Sequence, residues 1–141
     1  MTLQSRIYAR PPHLLTWATG PVDDDALRRH FEHVAAMPDL PPDGRELTDL
    51  RGANLRGVTA EGIRSLAERA RGATARPSRL RRVAILVDSD LAYGLGRMYE
   101  AYCLPGTVLV AVFRREDEAR RWLFQDGDDA GPPGPRPAPP G

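Results

Sequence analysis

The sequence of 141 residues contains no lysine; all 20 of its basic side chains are arginine. That absence excludes P-loop phosphate binding, Schiff-base catalysis and kinase-type chemistry, each of which needs a lysine ammonium. A single cysteine, Cys103, excludes an intrachain disulfide and a cysteine-rich zinc site. Three histidines are too few for a histidine-rich metal centre. No motif asks for a metal or an organic cofactor. No apolar run approaches the roughly 18 residues that span a bilayer. The opening MTLQSRIYAR lacks the apolar core of a secretory signal, so the cytoplasm is the expected location. Net charge is only +1, so no global field points to nucleic acid or to an anionic membrane.

What is present suits one soluble domain with a real core. The composition breaks near Asp126. The segment DGDDAGPPGPRPAPPG holds six of the 14 prolines and no apolar side chain larger than alanine. Such a stretch cannot bury enough surface to offset its ordering entropy. The expected organisation is a folded domain over residues 1–125 and a disordered, partly polyproline II tail over residues 126–141.

Within the domain, β-prone stretches alternate with helical periodicity. Ile7–Ala9 and His13–Ala18 read as two strands around Pro11-Pro12, joined too tightly for a crossover and therefore antiparallel. Gly20-Pro21 reads as the end of the second. Asp23–Asp25 suits a helix start, and Leu27, Phe31 and Val34 mark its buried face. Arg45–Leu50 reads as a third strand, followed by a loop, RGANLRG. Thr59 is an N-cap candidate for a helix that buries Ile63, Leu66, Ala67 and Ala70. Val83–Val87 is five consecutive apolar residues, a strand covered on both faces as at the centre of a parallel sheet. Leu91, Leu95, Met98 and Tyr102 mark the next helix. Thr107–Phe113 reads as another buried strand and Arg115–Phe124 as the last helix. The order β-β-α-β-α-β-α-β-α predicts an α/β fold: a single mixed, mostly parallel sheet with packed helices.

Ligands of such sheets collect beyond the carboxyl ends of the strands. Two loops qualify: Asp49 to Thr59, with Asp49 and Arg51, and the run Asp88, Ser89, Asp90. A nucleophilic Ser89 would suit a small hydrolase, but no G-x-S-x-G elbow surrounds it, and the plainer reading is that Ser89 or an aspartate caps the following helix. His30 and His33 read as solvated or boundary positions beside a buried helix face. Gly94 and Gly96 interrupt a helix at a cost of up to about 1 kcal/mol each. Close backbone approach to the sheet or to a ligand would offset it, and Tyr93, Arg97 and Tyr99 outline a candidate pocket there. The Arg-rich stretch Arg71–Arg82 has no interleaved aromatic for base stacking and reads as a solvated linker, so no nucleic-acid partner is expected.

Four segments carry a family likeness: TDLRGA (Thr48–Ala53), VTAEGIRSLAERA (Val58–Ala70), RVAILVDSDLAYGLGRMYEA (Arg82–Ala101) and VFRREDEARRWL (Val112–Leu123). Together they resemble the STAS-like proteins of the SpoIIAA-like group, which includes anti-sigma-factor antagonists and has relatives likened to CRAL-TRIO lipid-binding domains. The most specific piece is Asp90–Tyr99. The resemblance implies a compact mixed sheet that acts without catalysis, as a regulatory or protein-interaction module with another protein as its partner. It also implies a phospho-acceptor where the helix after the third strand begins, here Thr59, although TAEG replaces the acidic–Ser–Ser–Gly signature of that group. The working surface would be the loops Asp49–Thr59 and Asp88–Leu91. The alternative is a domain that holds a small apolar molecule or lipid near Tyr93, Arg97 and Tyr99. An enclosed apolar cavity argues for the alternative, and a filled core beneath a flat loop surface for the interaction module.

Overall fold

The computed structural model describes residues 3–40, 43–71, 80–104, 106 and 108–125. Along them run β1 (Leu3–Ala9), β2 (Pro12–Asp23), α1 (Asp24–Ala35), β3 (Gly44–Gly57), α2 (Ala60–Ala70), β4 (Leu80–Leu86), α3 (Asp90–Tyr102), β5 (Leu109–Phe113) and α4 (Glu116–Leu123). The expected Pro-rich tail and most of the expected Arg-rich linker lie outside the described residues.

The five strands form one sheet in the order β1-β2-β3-β4-β5. β1 pairs antiparallel with β2, and every later pair is parallel. The sheet is mixed and mostly parallel, as the element order predicts. β4 sits between two parallel neighbours and buries both faces, which is why Val83–Val87 reads as an unbroken apolar run.

Alternation along each strand divides the core in two. Leu14 and Ala18 of β2, Val83 and Ile85 of β4, and Val110 and Val112 of β5 pack with α1, α2 and α3 on one face. Leu47, Ala84, Leu86, Ala111 and Phe113 pack with Ala119, Trp122 and Leu123 of α4 on the other. The arrangement follows from handedness: successive parallel strands laid side by side, each joined by a right-handed crossover, place all three connecting helices on the same face. Only α4, which follows the last strand, is free to cover the reverse side.

The helices lie at unequal depth. α3 packs directly on β5, whereas α2 lies against α3 and α1 and stands off the sheet. Small residues permit the close approach of α3. A Cβ on Gly96 would sit 2.9 Å from a methyl of Val112, so only glycine fits that crossing. Gly94 meets nothing within 4 Å, and no close approach accounts for it.

Several boundaries differ from the sequence expectation. β1 begins at Leu3 rather than Ile7, and β4 at Leu80, so Leu80–Arg82 is strand with Arg82 buried and not solvated linker. β2 does not stop at Gly20-Pro21, and the RGANLRG stretch is not a loop. The two segments pair with each other, Gly20 opposite Ala53 and Pro21 opposite Asn54, with register shifts on either side. Gly20 takes φ of +75°, and Pro21, which has no N–H to give the ladder, sits between the irregularities. Neighbouring strand edges supply pairing that local composition disfavours.

Candidate functional site

Most of the carboxyl-end residues singled out by sequence are engaged in ion pairs or helix caps. Asp49 accepts from Arg51 Nε at 3.0 Å and Nη2 at 2.8 Å, and Arg51 Nη2 also reaches Glu116 at 2.9 Å. Burial pushes the Asp49 carboxyl up, but the Arg51 hydrogen bonds outweigh it and hold it below the usual range. Asp90 pairs with Arg114 at 2.8 Å, and that guanidinium lies 4.6 Å from the Tyr93 ring centroid. Ser89 Oγ accepts from the Ala92 N–H at 3.1 Å, an N-cap. Neither a histidine nor a carboxylate bonds it among the described residues, and Asp88 is exposed.

Thr59 is also an N-cap, accepting from Gly62 N–H at 3.0 Å. Its hydroxyl donates to Asp24 at 2.6 Å, and its backbone N–H donates to the same carboxylate at 2.8 Å. Asp24 thereby ties the first turn of α1 to the first turn of α2. A Cβ on Gly62 would lie 2.2 Å from that carboxylate, so glycine makes room for the clasp. The clasp makes Thr59 more than a cap. Thr59→Ala should cost about 1–2 kcal/mol by chemical denaturation. Thr59→Ser should recover most of it, and equal losses from both would show that the hydroxyl contributes nothing.

The pocket of the alternative reading lies deeper than expected, beneath α2. Because that helix stands off the sheet, a cavity of about 100 Å³ remains between the three helices and strands β3 and β4. Its walls are almost wholly apolar: Leu27 and Phe31 from α1, Ile63 and Leu66 from α2, Leu95 from α3 and Val83 from β4. Of the three residues expected to outline a pocket, Tyr99 lines this cavity. Tyr93 and Arg97 do not; Arg97 is half-exposed and faces Glu100 at 3.8 Å.

Into these walls the fold sets one polar cluster. Glu46, on β3, is 5% exposed. Its Oε2 accepts from Thr16 Oγ1 at 2.6 Å and lies 2.9 Å from His30 Nε2. Burial pushes the Glu46 carboxyl up. The His30 hydrogen bond and charge, with hydrogen bonds from Thr16 and Thr48, outweigh that and leave it below the ordinary glutamate value. Tyr99 hydrogen-bonds Cys103, and burial raises the phenol well above its ordinary range and the Cys103 thiol to about 11. The cluster thus holds an ionised carboxylate with neutral hydroxyl and thiol groups nearby.

His30 takes the boundary position rather than the solvated one; its side chain is 13% exposed and turns inward to Glu46. His33 stays exposed, and no group of three metal-ligating side chains occurs among the described residues. The only sequence signal for the cluster is the strand alternation in RELTDL. It puts Glu46 and Thr48 on the same face as Leu50.

No family model and no curated protein matches this sequence. A solved structure does: an uncharacterised protein of the DUF3478 family with a SpoIIAA-like fold, from Shewanella loihica PV-4. The two align with a TM-score of 0.53 over 86% of this chain and 94% of that one, at 18% sequence identity. At that identity the likeness speaks to the fold alone. No helix among the described residues is long and apolar enough to cross a membrane.

Proposed function

We propose, with the SpoIIAA-like fold of this chain as the premise, that the domain is a small-molecule-binding module of STAS-like type. The observation that carries the reading is the buried carboxylate of Glu46 in the wall of an otherwise apolar cavity. A packing defect alone would be apolar throughout and would need no charge. Burying a carboxylate costs several kcal/mol before its partners repay it, and an apolar side chain would stabilise the fold at least as well. A polar group placed in an apolar pocket instead orients and selects a ligand.

The volume bounds the ligand. A cavity of about 150 Å³ holds benzene, so about 100 Å³ suits a molecule of roughly four to six heavy atoms. An acyl lipid exceeds that space unless α2 moves away. Native mass spectrometry of the protein purified from its own cells tests the reading. The expected spectrum carries a small adduct that is lost on denaturation. A second reading, a protein-interaction surface, is favoured by Leu91, 48% exposed in the first turn of α3. A co-purifying protein on an otherwise bare chain would overturn the first reading in favour of the second.

A further inference from the structure

Resting on that reading, we propose that the cavity takes a short apolar molecule whose head donates a hydrogen bond and bears no negative charge, an alkyl alcohol or amine, and that Glu46 selects it. The geometry supplies three reasons.

The first is acceptor capacity. A carboxylate offers about four lone-pair sites. Among the described residues Thr16 and His30 both bond its Oε2, and Thr48 adds a third hydrogen bond. One site therefore remains for a group that enters the cavity. The second is charge. No arginine lines the cavity among the described residues, and the chain has no lysine. His30 is the one lining side chain able to carry positive charge, and Glu46 already engages it. A ligand carboxylate would therefore face Glu46 with no cation of its own, in surroundings where like charges repel far more strongly than in water. The third is shape. Beyond His30, Glu46, Thr48 and Tyr99 the lining side chains are apolar, so the rest of the ligand has only hydrocarbon to meet.

The arrangement separates two ligand families that a purely apolar pocket would not distinguish. Short fatty acids and short alcohols have the same tails and similar volumes. Glu46 accepts the hydroxyl proton of the one and repels the carboxylate of the other. An amine adds an ionic attraction to the hydrogen bond.

Nuclear magnetic resonance titrations of the full chain with 1-butanol, butylamine and sodium butyrate, at matched ionic strength and neutral pH, test the proposal. The readout is the backbone amide shifts of Leu66, Ala92 and Gly96, which line the cavity. Saturable shifts are expected for 1-butanol and butylamine, with butyrate at least roughly ten-fold weaker. Glu46→Gln should shrink that gap; if this variant does not fold, the wild-type ranking still decides. Butyrate binding as tightly as 1-butanol would overturn the selection by Glu46 while leaving a small-molecule pocket in place. Failure of all three probes to saturate would overturn the pocket and the selection together.

Discussion

Replacing His30 with leucine should destabilise the domain by about 3–5 kcal/mol at neutral pH, read from denaturant unfolding. The size follows from what is left behind. Leucine fills much of the imidazole volume but withdraws the partner of a buried carboxylate, and a buried charge stripped of its partner costs several kcal/mol. Thr16 still donates to Glu46, which keeps the loss below a full desolvation penalty.

The pH dependence gives the sign. In the wild type the folded Glu46 carboxyl titrates below its unfolded value. Its contribution is therefore fully present above the unfolded pKa and is lost as pH falls through the folded one. In the variant, burial acts without the His30 contribution and should raise the folded value above the unfolded one. Acid then protonates Glu46 more readily in the folded state, and the variant regains stability as pH drops. The two stability curves should draw together as pH falls from the variant's raised folded value and meet below the wild type's lowered one. A loss under about 1 kcal/mol, or curves that stay parallel on acidification, would remove Glu46 and His30 from the role assigned to them.

Trp122→Ala should cost about 3–5 kcal/mol and lower the thermal midpoint by more than about 10 °C. α4 has eight residues, too few to persist in water without tertiary support. Its hold on the sheet is short. Trp122 packs on Phe113 with ring centroids 5.7 Å apart, flanked by Ala119 and Leu123. Arg82 sits over the indole and donates to the carbonyls of Trp122 and Gln125, while Arg45 donates to that of Leu123. These two arginines satisfy carbonyls that a helix C-terminus otherwise leaves bare. Removing the indole takes out the largest side chain of that cluster and the platform beneath Arg82. Hydrogen exchange should show the amides of α4 unprotected in the variant while those of β4 remain slow. A midpoint shift of less than about 2 °C would mean that α4 is not held by this contact.

Much of this architecture is readable from the chain because its signals are local. The 3,4 spacing of Leu27, Phe31 and Val34, the unbroken Val83–Val87 run, and Thr59 and Ser89 ahead of apolar periodicity each depend on neighbours within a few residues. The tight β1–β2 connection is local in the same way. The extension of β3 to Gly57 is not. RGANLRG has two glycines, two arginines and an asparagine, and it becomes strand only because β2 runs alongside it. The site is harder still. His30 and Glu46 lie 16 residues apart on different elements, and each by itself is an ordinary surface residue type. In RELTDL both alternating faces carry a charge, so the pattern alone does not say which one turns inward. Of the cavity the sequence signals only Gly96 and Tyr99, because its volume depends on how far α2 stands from the sheet.

The strand order carries a consequence for how the protein comes to be made. Every strand pairs only with those adjacent to it in the chain, so no pairing waits for a distant segment. After the β1–β2 hairpin each closure spans one strand–helix unit, a modest entropic penalty. A chain emerging from the ribosome can therefore lay down its sheet one strand at a time, always at the newest edge. The exception is the reverse side. Leu47, Ala84 and Leu86 are synthesised well before Ala119, Trp122 and Leu123, which cover them. Until the last helix is out, the half-made sheet shows a bare apolar back, and a chaperone with an appetite for such surfaces would find it there.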